Sequence, residues 1–232
     1  MNGLKNIFKL ASYNFKILFG GKYIIFVILA LLLFAYQIFN AAYYGATLAE
    51  NVVYQNLIYP SLLLIFYPAA YGIQKDSETK ILEIFFCIPN YMYKVWLLRL
   101  VFVIIACLID VSLFGVLSHL LLCPVDILQM SYQIMFVVVF FGTLALFLST
   151  VIKSGNGVAV VLIGIFAILI SVGESYSNTM WDIMLNPYNE VSSIHPDIWA
   201  KIVSNNRIML GCCSAGLILM SLNNLRRRER ML

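Results

Sequence analysis

Apolar residues fill this chain in six long stretches, at about 22–44, 53–73, 95–121, 132–152, 157–175 and 206–223, with polar intervals between them. A hydrocarbon core about 30 Å thick is crossed by about 20 helical residues, each rising about 1.5 Å. Each stretch therefore predicts a membrane-spanning helix. The second contains Pro60 and Pro68, whose freed carbonyls need partners from side chains or neighbouring helices. Ahead of the first stretch, residues 4–19 follow helical spacing. Leu4, Ile7, Phe8, Ala11, Phe15 and Leu18 share one face, and Lys5, Lys9 and Lys16 lie opposite. That pattern suits an amphipathic helix in the headgroup plane with its lysines toward anionic lipid. A helix resting on a soluble core would show the same pattern, but the chain offers no soluble core.

Two intervals are longer than a turn. Residues 74–94 are charged and helical in pattern up to Pro89. Residues 176–205 hold Trp181, Asn186-Pro187, His195-Pro196 and Trp199, aromatics that suit short helices dipping into a membrane interface.

Composition agrees with the pattern. The chain is 62% hydrophobic and 11% charged, with a mean hydropathy of +0.91, whereas soluble domains carry about 25% charged residues. Lipid must be the solvent for much of it. The 232 residues make one unit, 1–232, an all-α membrane protein with little left for a second domain. The first apolar run is too long for the core of a signal peptide, and no small-x-small site follows it.

Charge sets the orientation. With the N-terminus inside, all of the 15 lysines and arginines except Lys201 and Arg207 fall on the cytoplasmic side, while Glu50, Asp126, Glu174, Asp182, Glu190 and Asp197 fall outside. Basic residues near spans stay cytoplasmic, so both termini are expected in the cytoplasm and the chain in an inner, cytoplasmic membrane. A five- or seven-span arrangement would place one terminal basic cluster outside.

Soluble enzyme chemistry finds little footing. Around Gly21-Lys22-Tyr23, Lys16 stands where a phosphate-binding loop needs its first glycine, and Tyr23 where it needs Ser or Thr. There is no HExxH, GxGxxG or GxSxG-like serine turn. The five cysteines form no CxxC, and His119 and His195 stand apart from them, so neither metal nor catalysis is expected in this chain. His119 reads as a hydrogen-bonded membrane histidine. Asp110 is the exception, since a carboxylate at membrane depth is costly and marks function by default. Its readings are proton or ion coupling, or a partnered aspartate that orders helix packing.

The informative interval is Lys75-Asp-Ser-Glu-Thr-Lys-Ile-Leu-Glu-Ile-Phe-Phe-Cys-Ile-Pro89. Asp76 and Lys80 form an acidic-to-basic helical pair. Ile81, Leu82, Phe85, Phe86 and Ile88 make an apolar face, and Pro89 ends the helix. Exposed aromatics beside carboxylates are what a soluble partner grips, and a lipid-resting helix is the other reading. The stretch resembles the signature of ABC type-2 transporter permeases, the membrane subunits of exporters that lack their own ATPase domain. That signature reads acidic-x-Glu-x-Gly-x-x-Glu, a proline six residues on, and a basic residue opening the third span. Asp76, Glu78, Glu83, Pro89 and Lys94 take those places, and Lys80 replaces the glycine. The order of an interfacial helix, six spans and a partly helical outer segment before the last span extends the resemblance along the whole chain.

The resemblance implies a permease paired with a second copy or a similar subunit and driven by separate ABC ATPase subunits, which would hold the ATP and its magnesium. Asp76, Glu78, Glu83, Phe85, Phe86 and Pro89 would then dock the ATPase. The family lines its path with the second and fifth spans, which makes Tyr59, Tyr67 and Tyr71, within one 120° arc of the second, candidate lining residues. Membrane lipids are the other expected partner, and nucleic acid is not one. The alternatives are an ATPase-coupled device that transmits force to an external partner, and a membrane assembly or scaffold protein without transport. The orientation is directly testable. Single cysteines at Ser77 and Ser192 should react with an impermeant thiol reagent from opposite faces, and reaction of both from one face would overturn the topology.

Overall fold

The computed structural model describes residues 23–43, 49–78, 96–152, 154–189, 191 and 194–226, with the backbone alone described at 41, 42, 73–78, 174 and 226. The expected interfacial helix at 4–19 and most of the 75–89 segment lie outside the described residues. Six helices follow in order: α1 (Tyr23–Tyr43), α2 (Glu50–Glu78), α3 (Leu98–Leu121), α4 (Ile127–Ile152), α5 (Gly155–Tyr176) and α6 (Pro196–Arg226). Each is long and apolar enough to cross a membrane, and the described residues contain no strand.

Their ends show why they start where they do. Asp126 Oδ1 accepts from the amides of Leu128 and Gln129 at 3.0 and 3.1 Å, which caps the first turn of α4. Ser154 Oγ accepts from Gly157 N at 3.4 Å and caps α5. His119 Nδ1 accepts from Val125 N at 3.1 Å across the α3–α4 turn, so this histidine is hydrogen-bonded, as the sequence suggests.

α6 departs from expectation. It begins at Pro196 rather than near 206, so residues 196–205 extend the last helix instead of forming a separate interfacial one. An apolar-length rule stops at Lys201, Ser204 and Asn205. The local helix signals run further, because proline is preorganised for the first helical position and Asp197 sits in the positive first turn. Residues 177–189 fold as successive turns, with no helix.

α2 and α4 form the spine. They pack on each other, α1, α3 and α5 flank α2, and α3, α5 and α6 flank α4. In α2's apolar stretch 61% of residues are buried, against 17% in α1 and in α5. Met130, Ile134, Val137, Val138, Phe141 and Ala145 recur at helical spacing on the buried face of α4. Phe141 meets Phe66 of α2 edge-on at 6.3 Å and Phe166 of α5 at 5.6 Å. Asn206, Arg207, Leu210, Ser214, Ser221 and Leu225 are buried along one narrow stripe of α6, and its other faces are open.

Because lipid is as apolar as leucine, helices in a membrane associate through close packing and polar ties rather than water exclusion. The ties are present: Ser112 Oγ to Ser131 Oγ between α3 and α4 (3.5 Å) and Asn224 Nδ2 to Thr150 Oγ1 between α6 and α4 (3.1 Å). The close packing centres on Gly142, where an added Cβ would stand 2.8 Å from Ile65 Cγ1 of α2. Gly164 on α5 has nothing within 4 Å of the same point.

Gly142→Ala is therefore expected to destabilise the bundle by about 1–3 kcal/mol through overpacking. Gly164→Ala, at an open helical position, should not destabilise and should gain up to about 1 kcal/mol of helix propensity. Unfolding in mixed detergent measures both, and equal effects would contradict the α2–α4 contact.

Candidate functional site

Polar side chains gather at one end of the bundle, formed by the α3–α4 turn, residues 177–189 and the start of α6. We call this end distal and the opposite end, where α2 finishes, proximal. Its centre is Arg207, which is 5% exposed. Nε donates to Gln133 Oε1 of α4 at 2.8 Å, and Nη1 to Asn206 Oδ1 at 3.0 Å. Nη2 donates to the Tyr54 hydroxyl of α2 at 3.2 Å and to the Leu185 carbonyl at 3.1 Å. The guanidinium also lies 5.9 Å from the Phe136 ring centroid, within cation–π range.

The same node holds the turns of 177–189 against the helices. Tyr54 Oη donates to the Leu185 carbonyl at 3.3 Å. Asn206 Nδ2 donates to the carbonyls of Met180 and Asp182 at 2.9 and 2.8 Å. Asn186 Nδ2 reaches the Asn51 carbonyl of α2 at 2.8 Å, and Trp199 Nε1 the Pro187 carbonyl at 3.1 Å. Among the described residues, every hydrogen-bond partner of Arg207 is neutral. Burial raises the Asp182 carboxyl above its ordinary range, against hydrogen bonds from the Met184 and Asn178 backbone and the field of Arg207. Burial, with help from Glu50, Tyr54 and Asp126, pushes the Tyr188 hydroxyl up to about 12, again against Arg207.

Two grooves flank the node. One, of about 650 Å³, lies between α2, α5 and the 177–189 turns, with Tyr59, Phe166, Trp181 and Asp182 among its walls. The other, of about 750 Å³, lies between α4 and α6, with Arg207, Tyr132, Phe136 and Trp199 among its walls. Both are within the size range of small-molecule sites.

The three candidate lining tyrosines make different contacts. Tyr59 lines the first groove and meets Phe166 edge-on at 6.5 Å. Tyr67 turns toward α1 and stacks on Phe26 at 4.4 Å and on Tyr71 at 5.6 Å. Tyr71 Oη donates to Asn156 Oδ1 of α5 at 2.9 Å. Asp110 lies away from both grooves, on α3, and accepts a hydrogen bond from the Tyr23 hydroxyl of α1. Its partner is a phenol, which sequence spacing could not reveal because the two stand 87 positions apart. Asp76 and Glu78 stand on the last turn of α2, and Glu83, Phe85, Phe86 and Pro89 lie outside the described residues.

In the sequence Arg207 stands out only as one of two basic residues outside the cytoplasmic segments. The signal that marks it is the one that marks Asp110, a charge inside an apolar helix. Among the described residues no three His, Cys, Asp or Glu side chains converge as metal ligands. The fold defines a multi-pass helical membrane protein. In comparison with known proteins, no family model, curated protein or solved structure matches the chain.

Tyr54→Phe removes one acceptor of a buried cation and one donor to the 177–189 turns. Hydrogen bonds to charged groups contribute about 1.5–3 kcal/mol, so the variant should lose stability of that order and exchange amide hydrogens faster across 182–189. Unchanged exchange there would show that the node does not hold the turns.

Proposed function

We propose that this protein is the membrane-spanning subunit of an ATP-driven exporter of the ABC type-2 class. It would work as a dimer with a second permease and be driven by separate ATPase subunits on the cytoplasmic face. The observation that carries the reading is the length of α2. Its apolar sequence gives way to Gln74-Lys-Asp-Ser-Glu78, yet the helix continues to Glu78. Its 29 residues extend about 44 Å at about 1.5 Å per residue, beyond the roughly 30 Å of a hydrocarbon core. Asp76 and Glu78, the opening acidic residues of the signature, thus stand on a direct extension of the most buried span.

A push at that end acts on the spine itself. α2 contacts α1, α3, α4 and α5, and its distal half supplies Tyr54 to the Arg207 node and Tyr59 to the α2–α5 groove. One helix joins the docking end to the distal groove, with Pro60 and Pro68 as the two points where its hydrogen-bond ladder is interrupted, and that continuity is the coupling an externally driven permease needs. Both transport and force transmission to an outer partner use that coupling, and substrate-stimulated ATP turnover in reconstituted membranes separates them. A scaffold protein has no use for an ATPase.

The deciding experiment substitutes Glu83→Lys and, separately, Phe85→Ala in the full chain, and follows ATPase co-purification and ATP turnover of the complex. Truncating an interface anchor costs about 2 kcal/mol or more, which weakens assembly roughly thirtyfold. Both variants should still insert. Normal ATPase binding and turnover in both would refute the docking role.

A further inference from the structure

We propose that the groove between α4 and α6 binds an anionic phospholipid, with the headgroup phosphate at Arg207 and an acyl chain along α6. This does not depend on the ATPase reading. The first observation is the charge. A guanidinium has five N–H donors, and four of the bonds it makes here run to Gln133, Asn206, Tyr54 and Leu185, all neutral. Among the described residues no carboxylate forms an ion pair with it, and Asp182, the carboxylate of the same node, interacts with it only through its field. A charge this deeply buried is costly unless an opposite charge accompanies it, and the remaining N–H on Nη1 can donate a charge-assisted hydrogen bond to a phosphate oxygen.

The second observation is the groove that Arg207 helps to wall. At the level of Arg207 it offers Gln129, Gln133 and Ser204, polar groups able to meet a headgroup. Further along α6 it is lined by Ile208, Gly211 and Cys212, and a Cβ placed on Gly211 would meet nothing within 4 Å. Polar at one end and open and apolar at the other, it has the profile of an amphiphile rather than of a free ion. Its mouth is lateral: Tyr132 and Ile208 are 60% and 61% exposed, on faces of helices that a membrane would surround. Trp199 and Tyr132 place amphipathic rings beside the same mouth, as is usual at headgroup depth. About 750 Å³ leaves room for chain as well as headgroup.

Cys212 lines the groove and is exposed, so it reports on occupancy. Full-length protein with Cys212 as its only cysteine would be reconstituted in phosphatidylcholine vesicles, with and without phosphatidylglycerol, and labelled with a neutral maleimide. Phosphatidylglycerol should slow labelling about tenfold when present at roughly ten times its dissociation constant. Arg207→Gln and Gly211→Leu should each abolish that protection, the second with the Arg207 node intact should the first fail to fold. A cysteine placed at Ile198, exposed on the same helix outside the groove, should label equally in both membranes. Equal labelling of Cys212 in both membranes would overturn the proposal, and so would equal slowing at Ile198→Cys, which would mark a surface effect. Protection by millimolar inorganic phosphate in phosphatidylcholine alone would place a free anion there and overturn the lipid assignment. Protection that survives Gly211→Leu would do the same for the acyl-chain path.

Discussion

A cation this deeply buried must be given acceptors by the protein, and the distal half of this bundle is organised around giving them to Arg207. Four neighbours converge on one guanidinium: Tyr54 from α2, Gln133 from α4, Asn206 beside it on α6, and the Leu185 carbonyl from the intervening turns. In a low-dielectric interior each bond is strong, and each absence would be correspondingly costly. The same constraint explains why a segment without helix, 177–189, keeps one arrangement. Its carbonyls at 180, 182, 185 and 187 are taken by Asn206, Arg207 and Trp199, as backbone near a membrane must be satisfied by protein.

The rest of the fold divides between an embedded pair and exposed partners. α2 and α4 approach closely at Gly142 and Ile65 and interlock through Phe66 and Phe141, a contact of shape and dispersion suited to a medium without hydrophobic drive. α1, α5 and α6 each present long apolar faces outward, with Ile163, Ile170 and Leu219 among the most exposed side chains. Such faces suit lipid or another helical subunit equally well. Tyr71 to Asn156 and Tyr59 against Phe166 join α5 to α2, beside the packing of Ala69 and Ala70 with Val158 and Leu162.

Asp110 takes a quieter place in this arrangement than its position in an apolar helix suggests. Its partner is the Tyr23 hydroxyl, so α1, whose surface is otherwise mostly exposed, gains a polar tie to α3. Phe34 on Phe114, at 5.5 Å, is a second contact between the same two helices.

Span number and helical class were legible in the sequence because they are local properties. Whether a stretch can cross a membrane depends on its own length and polarity, and the six stretches show both without reference to one another. Helix starts were legible only in part. Pro196 and Asp197 began α6 ten positions ahead of its apolar run, since capping signals and hydropathy need not coincide. Which helices touch, and where, was decided by tertiary structure alone. Runs of leucine, isoleucine, valine and phenylalanine are nearly interchangeable as packing surfaces, so they carry little information about partners. Arg207 with Tyr54, 153 positions apart, and Tyr23 with Asp110 are pairings between rare polar groups. The sequence displayed each group singly, and only the folded bundle could bring them within hydrogen-bonding distance, because the apolar helices around them set the geometry.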